Sequence, residues 1–366
     1  PPESEFHRFR GPRADAGMKR KIIIAIGAAM SPILALPAFA EPSGFLRPLG
    51  PIAEFQRTEL IWASAIIAIA ILPVLIGAPL IVWRYRRSNK NATYRPDWHF
   101  DTKLEVLMWG VPTLIVIALS VWLTQAVYRI DPYRTIDAEM ADGLDIGEIG
   151  APIRIETVGL DWKWLFLYPE EGIASVGEMV IPTGRPVAMR LTTDTVMQSF
   201  MASGLAGQIY AMAGMVTQLN LIATRTGTTL AENTQYNGTG FPAQRAPVEA
   251  VDPTAYGAWL EAARAAPTLN AQSYAILAQS GDVAKARADL GRDGDGPLLF
   301  RLDDPALFDR IVGRYRSGTP VPAAAQPGSP SYDPGQGIPP TLAEIFPDAF
   351  CGPGATRLAQ VDLPEP

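Results

Sequence analysis

The chain has 366 residues and a net charge of −6, and it contains only two histidines and one cysteine. Protein copper, zinc and haem sites are built mostly from histidine and cysteine, so this inventory excludes a dinuclear copper site, a Cys/His zinc site and a bis-histidine haem. A lone cysteine excludes an internal disulfide framework, the acidic balance gives no support to nucleic-acid binding, and the low charged fraction of 19% indicates long uncharged segments.

The N-terminal region has the pattern of a secretory signal. Residues 1–17 precede the first methionine and are interpreted as upstream sequence. Residues 18–40 then combine a basic start, an apolar stretch at 22–36 and an Ala-Phe-Ala cleavage motif ending at Ala40. This pattern predicts a mature chain of 41–366 whose N-terminus lies outside the cytoplasm. An uncleaved first helix is the alternative.

Two membrane spans follow within residues 41–130. Residues 60–83 and 106–128 contain no charged side chain, and each stretch exceeds the roughly 20 residues that cross a bilayer. We therefore predict transmembrane helices at about 60–83 and 105–128. The connecting loop, 84–104, carries six arginines and lysines, which places it in the cytoplasm and both ends of the hairpin outside.

From residue 151 the apolar pattern changes to alternation. Ile153 and Ile155 begin it, residues 162–168 continue it, and glycine-containing turns recur every 8–12 residues. This pattern predicts a β-sandwich or barrel of antiparallel strands over residues 151–251.

Helical signals follow the predicted strands. Asp252-Pro253 and Asp304-Pro305 each resemble a helix start, and we assign residues 252–317 to a helical segment. Of the 49 residues in 318–366, 11 are proline, so this tail is interpreted as largely disordered and its Cys351 as an incidental free thiol.

Three segments resemble one protein family. Residues 83–90 (WRYRRSNK), 160–164 (LDWKW) and 208–215 (QIYAMAGM) are similar to subunit II of haem–copper terminal oxidases, in the ubiquinol oxidase (cytochrome bo type) branch. The resemblance covers roughly residues 44–316. It implies a membrane hairpin of two helices and an extracytoplasmic, all-β, cupredoxin-like Greek-key sandwich with short C-terminal helices.

The resemblance also locates a copper framework whose ligands are absent. The cytochrome c oxidase branch binds two copper ions through a histidine and a run of two cysteines, a histidine and a methionine, with a glutamate carbonyl between the cysteines. In this chain Gln235 replaces that glutamate. The ligand positions, whose spacing is kept, are occupied by Gln198, Asn233, Asn237, Phe241 and Gln244. Carboxamides and a phenyl ring cannot replace bridging thiolates, so we predict a domain that binds no copper.

Loss of copper bears on the electron donor. Cytochrome c needs a surface relay into the membrane, whereas ubiquinol is lipid-soluble and can reduce a haem from within the bilayer. Trp162 lies where the copper-containing branch has an electron-entry tryptophan, but we interpret it as a packing residue. Met197, Met201, Met212 and Met215 are interpreted as core or interface filler and not as a copper-transfer surface.

Glu105 is the remaining candidate for a chemical role. The resemblance implies that a glutamate at this cytoplasmic helix end lies at the mouth of a proton-uptake channel in subunit I. Alternatively, Thr102 and Glu105 form a capping-box pattern in which Glu105 bonds back to the Thr102 amide. The two roles are compatible. His99, between two aromatic residues, is interpreted as part of an interfacial aromatic cluster.

The resemblance, together with these features, implies subunit II of a proton-pumping ubiquinol oxidase in a bacterial inner membrane. The large C-terminal domain would lie in the periplasm. Haems and copper are expected in subunit I and no cofactor in this chain. The expected partners are subunit I, further subunits, membrane lipid and ubiquinol as substrate of the complex, without nucleic acid. Two alternatives stay open: a purely structural or assembly subunit, and a cytochrome c oxidase subunit with a degenerate copper site.

Overall fold

A computed structural model describes residues 44–93, 99–137, 151–317 and 345–346. It contains two long helices, a two-sheet β-sandwich and short helices that follow it. The predicted fold class is confirmed. The predicted signal peptide, the upstream extension and Cys351 lie outside the described residues, as does the tail apart from Ile345 and Phe346.

The two long helices are both long and apolar enough to cross a membrane. Helix α1 spans Pro51–Arg84 and helix α2 spans Thr102–Arg129. Inside them lie Pro73, Pro79 and Pro112, which membrane helices tolerate. Helix α1 begins nine residues before the predicted span, which starts at residue 60. The additional residues lie outside the uncharged stretch, and the first turn packs on the sandwich, where Ile52 and Ala53 are buried.

The sandwich contains eleven short strands in two sheets. Sheet 1 has the order β11-β3-β2-β1-β5-β8, and sheet 2 has the order β4-β10-β9-β6-β7. The strands are β1 Ile153–Leu160, β2 Lys163–Tyr168, β3 Ile173–Val176, β4 Met179–Pro182, β5 Val187–Thr193, β6 Gln198–Ala202, β7 Gln208–Ala211, β8 Thr217–Leu221, β9 Gly227–Asn233, β10 Arg245–Val251 and β11 Leu298–Arg301.

The prediction of purely antiparallel strands is wrong for two pairs. Strand β5 runs parallel to β1, and β10 runs parallel to β4. The cause is the crossing of β4 into the other sheet. After that crossing the chain re-enters sheet 1 beside β1 and in the same direction, which is a Greek-key connection.

Sheet 1 is buried on both faces. Its inner face packs on sheet 2 around Trp164, Phe166 and Phe200. Its outer face, including Leu160 and Leu165, is covered by the residues after the sandwich. The near-continuous burial along β1 and β2 follows from this double cover and replaces the inside–outside alternation of a half-exposed sheet.

Helix α3, Pro253–Arg264, packs into the inner core through Tyr256, Leu260 and Ala263. The outer cover consists of Ile345 and three further helices, α4 Ala271–Ala278, α5 Val283–Asp289 and α6 Leu307–Gly313. Asp252 caps α3 by accepting from the Thr254 and Ala255 amides, and Pro253 occupies the first turn, as predicted. Helix α6 begins after Ala306, two residues later than the predicted Asp304-Pro305 start.

Candidate functional site: a carboxamide cluster on the copper framework

The structure brings Gln198, Asn233 and Gln244 together in the interior of the sandwich. All three are buried. Gln244 Nε2 donates to Gln198 Oε1 at 2.5 Å, and Asn233 Nδ2 donates to Gln244 Oε1 at 3.0 Å. The side chains of two strands and one loop end are thereby joined in a chain of amide-to-amide hydrogen bonds. We call these three residues the carboxamide cluster.

The cluster is also bonded to the surrounding backbone. Gln198 Nε2 donates to the Leu160 carbonyl at 2.9 Å. Asn233 Oδ1 accepts the amides of Ser199 at 3.1 Å and Gln235 at 3.0 Å. The predicted site residue Gln235 therefore takes part through its main chain.

The other two predicted positions lie beside the cluster. Asn237 Oδ1 accepts from Asn233 Nδ2 at 3.3 Å, while Asn237 Nδ2 is buried without a partner. Phe241 does not join the amides. Its ring packs edge-on against Tyr236 with centroids 5.3 Å apart. The loop that replaces the copper ligands is thus held by amides on its inner side and by an aromatic pair farther out.

These residues do not fit a dinuclear copper centre. Such a centre needs thiolates that bridge the metals and imidazoles that complete the coordination. The carboxamide oxygens at this position are neutral, and they already accept hydrogen bonds from one another or from backbone amides. In the described part of the chain no group of three or more His, Cys, Asp or Glu side chains has a metal-binding arrangement.

Trp162 covers the same loop from the β1–β2 turn. It has a φ of 64°, in the left-handed region that few side chains other than glycine adopt. Its indole lies against Gly238 and Gly240, and a β-carbon at Gly240 would overlap the ring. The close approach to two glycines gives the tryptophan a packing role at this turn.

Glu105 lies in the first turn of α2 and does not form the predicted capping box. Asp101 is the N-cap, and its carboxylate accepts the amides of Lys103 and Leu104. One helical turn on, Trp109 Nε1 donates to Glu105 Oε2 at 3.2 Å. The predicted capping box at Thr102 is wrong because Asp101, one residue earlier, is the N-cap, and its carboxylate accepts the amides of the first turn. His99 is exposed just before this cap.

Relatives of known type share most of this chain. It is 36% identical over 275 residues to ubiquinol oxidase subunit 2 of Acetobacter aceti, covering 75% of this chain and 83% of the relative. It is 38% identical over 272 residues to cytochrome bo(3) ubiquinol oxidase subunit 2 of Pseudomonas putida, covering 74% and 80% respectively. The chain belongs to the ubiquinol oxidase subunit 2 family.

No family model matches the chain. Among solved structures, the periplasmic domain of cytochrome oxidase subunit II from Bradyrhizobium japonicum is similar over 31% of this chain and 95% of its own length. That pair has 20% sequence identity and a TM-score of 0.29.

A buried lysine lies beside the β1–β2 turn, and no sequence pattern predicted it. Lys163 is 2% exposed and follows Trp162 directly. Its Nζ donates to the Asp161 carbonyl at 3.0 Å and to the Gln279 carbonyl, just after α4, at 2.7 Å. Desolvation lowers the pKa of Lys163 from 10.5 to about 8, partly opposed by the charge of Asp161.

A buried ion pair joins the β5–β6 turn to the end of the helical segment. Arg314 Nη2 lies 2.9 Å from Asp194 Oδ1, and both side chains are 3% exposed. Tyr274 from α4 donates to the same carboxylate oxygen at 2.8 Å, and the Tyr315 hydroxyl donates to the Asp194 carbonyl. The pKa of Tyr274 is raised well above 10, mainly by burial and to a smaller extent by the negative charge of Asp194. We call Asp194, Tyr274, Arg314 and Tyr315 the latch.

Proposed function

We propose that this chain is the metal-free subunit II of a proton-pumping ubiquinol oxidase. The observation that carries the proposal is the carboxamide cluster, since its hydrogen bonds occupy the side-chain atoms at three positions of the copper framework. Without an electron relay in this domain, electrons must enter the complex from a donor dissolved in the membrane. The names of the relatives agree with ubiquinol as that donor.

Donor preference and copper content test this proposal together. The purified complex should oxidise ubiquinol, show no turnover with reduced cytochrome c, and contain only the copper of subunit I. Gln244→Leu provides the matched control: it disrupts the cluster, and the ratio of the two donor activities should not change. Turnover with cytochrome c, together with copper that co-purifies with this chain, would identify a cytochrome c oxidase subunit instead.

The proposed partner is a subunit I that carries the haems and the copper, in a complex with further subunits. The apolar surfaces of α1 and α2 support this assembly because side chains such as Val74, Trp83 and Trp109 are more than half exposed in the isolated chain. We place the complex in the bacterial inner membrane with residues 151–317 in the periplasm, in line with the basic loop at 84–104. Cysteine labelling from either side should reach Ser88→Cys only from the cytoplasm.

We further propose that Glu105 contributes to proton entry. It is a half-buried carboxylate at the predicted cytoplasmic end of α2, where a carboxylate can collect protons for the membrane interior. Glu105→Gln removes the charge, yet its amide oxygen can still accept from Trp109. Turnover and proton uptake should therefore fall while assembly persists.

Trp109→Phe separates this role from a structural one. That variant removes the indole donor and keeps the carboxylate, so it should retain wild-type proton uptake. If Glu105→Gln turned over at the wild-type rate, the subunit would be left with a structural or assembly role. Equal losses of proton uptake in both variants would show that the Trp109–Glu105 hydrogen bond is needed, and would not support proton transfer by the Glu105 carboxylate.

A further inference from the structure

A cavity of about 390 Å³ opens where the outer ends of both membrane helices meet the sandwich. Its apolar wall includes Ile52 from α1, Val127 from α2 and Leu219 from β8. Polar groups are contributed by Gln56, Asp131 and Asn220. The cavity therefore has one apolar side and one polar side, and three separate parts of the chain form it.

Its position fixes the kind of molecule that can reach it. The apolar stretch of α2 ends at Tyr128, one residue after Val127, and Arg129 and Asp131 follow at once. The Nδ2 atom of Asn220 donates to the Pro132 carbonyl at 3.2 Å, which fixes the sandwich against this helix end. The cavity thus lies at the level where the hydrocarbon gives way to the headgroups, and an occupant from the bilayer must be amphipathic.

Charge distinguishes between the amphipathic molecules of the membrane. Asp131 is exposed at the polar side, and its Oδ1 accepts the Tyr133 amide at 2.9 Å, which orients the carboxylate. Asp131 carries a negative charge into the cavity lining and therefore complements a cationic headgroup. A neutral quinol ring offers no cation to Asp131.

We propose that this cavity binds the headgroup of a phospholipid that carries a primary amine. The ammonium group donates to the Asp131 carboxylate, and an acyl chain runs along Val127 into the bilayer. A charge-assisted hydrogen bond at a partly screened site is worth enough to change occupancy about tenfold. This inference does not depend on the electron donor proposed above.

A photoactivatable phosphatidylethanolamine tests the proposal in the purified complex in lipid nanodiscs. The readout is the cross-linked fraction of the peptide that contains residues 127–133, compared with photoactivatable phosphatidylglycerol, which has no amine. Asp131→Asn removes the charge and keeps the oxygen that accepts the Tyr133 amide. We expect it to reduce cross-linking of the amine lipid about tenfold and to leave phosphatidylglycerol labelling unchanged.

Filling the cavity gives a second, independent variant. Val127→Trp places a larger side chain in the wall and should abolish the cross-link, whereas Val121→Trp alters an exposed position of α2 outside the lining and should not. Equal labelling by both lipids, or wild-type labelling in Asp131→Asn, would overturn the proposal. Displacement of the probe by a short-chain quinone but not by unlabelled phosphatidylethanolamine would assign the cavity to a neutral ring and also overturn it.

Discussion

Gln244 is the central residue of the carboxamide cluster. Its amide nitrogen serves Gln198 and its oxygen serves Asn233, so a single side chain satisfies one buried acceptor and one buried donor. Buried polar groups cost little when paired and much when one partner is lost. The cluster therefore holds the loop at 234–244 by mutual hydrogen bonding, in the place where the related branch uses metal coordination.

Gln244→Leu should destabilise the domain by roughly 2–4 kcal/mol, because it leaves Gln198 Oε1 and Asn233 Nδ2 short of a partner in the interior. Urea unfolding of the full chain in detergent micelles measures the loss. Gln235→Ala is the matched control in the same loop, since Gln235 serves the cluster through its main-chain amide. That control should stay within about 0.5 kcal/mol of wild type, and an equal loss in both variants would contradict the role of the cluster.

Lys163 should make the free energy of unfolding depend on pH with the opposite sign to that of a salt-bridged lysine. Its pKa of about 8 in the folded chain lies below 10.5, so the unfolded state holds the proton longer as the pH rises. The free energy of unfolding should therefore increase between about pH 8 and pH 10.5, by about 1 kcal/mol per pH unit. Below pH 8 Lys163 is protonated in both states, so it should add no pH dependence there.

Lys163→Met removes the titrating group and should flatten that increase. Urea unfolding from pH 7 to about 9 makes this comparison while about nine-tenths of the tyrosines in the unfolded chain stay protonated. The same slope in wild type and variant would show that Lys163 is not the source.

At the scale of secondary-structure elements, the latch attaches the helical segment to sheet 1. Its ion pair is almost completely removed from solvent, whereas Asp309, which pairs with Arg190, has a side chain that is 63% exposed. Removing one partner of a buried pair leaves a charge in a medium that solvates it poorly, while removing one partner of an exposed pair costs little. The two pairs therefore differ in their expected contributions to stability.

Arg314→Met should destabilise the chain by about 3–5 kcal/mol, because it leaves the Asp194 carboxylate buried without its cation. Asp309→Asn should cost less than about 1 kcal/mol. The double variant Asp194→Asn, Arg314→Met should recover part of the loss, since it leaves no buried charge. Urea midpoints of wild type, Asp194→Asn, Arg314→Met and the double variant measure the coupling between the two residues. A loss in the double variant equal to the sum of the two single losses would contradict it.

For the whole molecule, the residues just before α1 determine how the hairpin meets the sandwich. The Leu49 amide donates to the Gly204 carbonyl at 2.7 Å, and the Thr224 amide donates to the Leu49 carbonyl at 2.8 Å. A β-carbon at Gly50 would overlap the Ile222 carbonyl oxygen. Gly50 has an extended backbone, so the need for glycine is a matter of space and not of φ.

Gly50→Ala should therefore loosen this contact, whereas Gly257→Ala, at an open position of α3, should be neutral or slightly stabilising. Spin labels at Thr58→Cys and Thr228→Cys in a Cys351→Ser background report the distance between the helix and sheet 2. The distance distribution should broaden only with Gly50→Ala. An unchanged distribution would show that the backbone yields without cost.

The sequence by itself determined the class of the segments that the structure describes. Uncharged stretches longer than a bilayer, the alternation from residue 151 and the cap at Asp252 are local patterns with direct physical meaning, and they were sufficient for the helices, the sandwich and the start of α3. The family resemblance located the ligand positions. The identities of the residues there, Gln198, Asn233, Asn237, Phe241 and Gln244, then excluded thiolate and imidazole chemistry.

Only the tertiary structure decided what those residues do instead. Gln198 and Gln244 are 46 residues apart and become hydrogen-bond partners because β6 and β10 both pair with β9. Lys163 and Gln279, 116 residues apart, meet because the helical segment covers sheet 1. The parallel pairing of β1 with β5 likewise depends on a crossing between sheets. Burial and hydrogen-bond partners depend on contacts between distant segments, and no local pattern of residues specifies them.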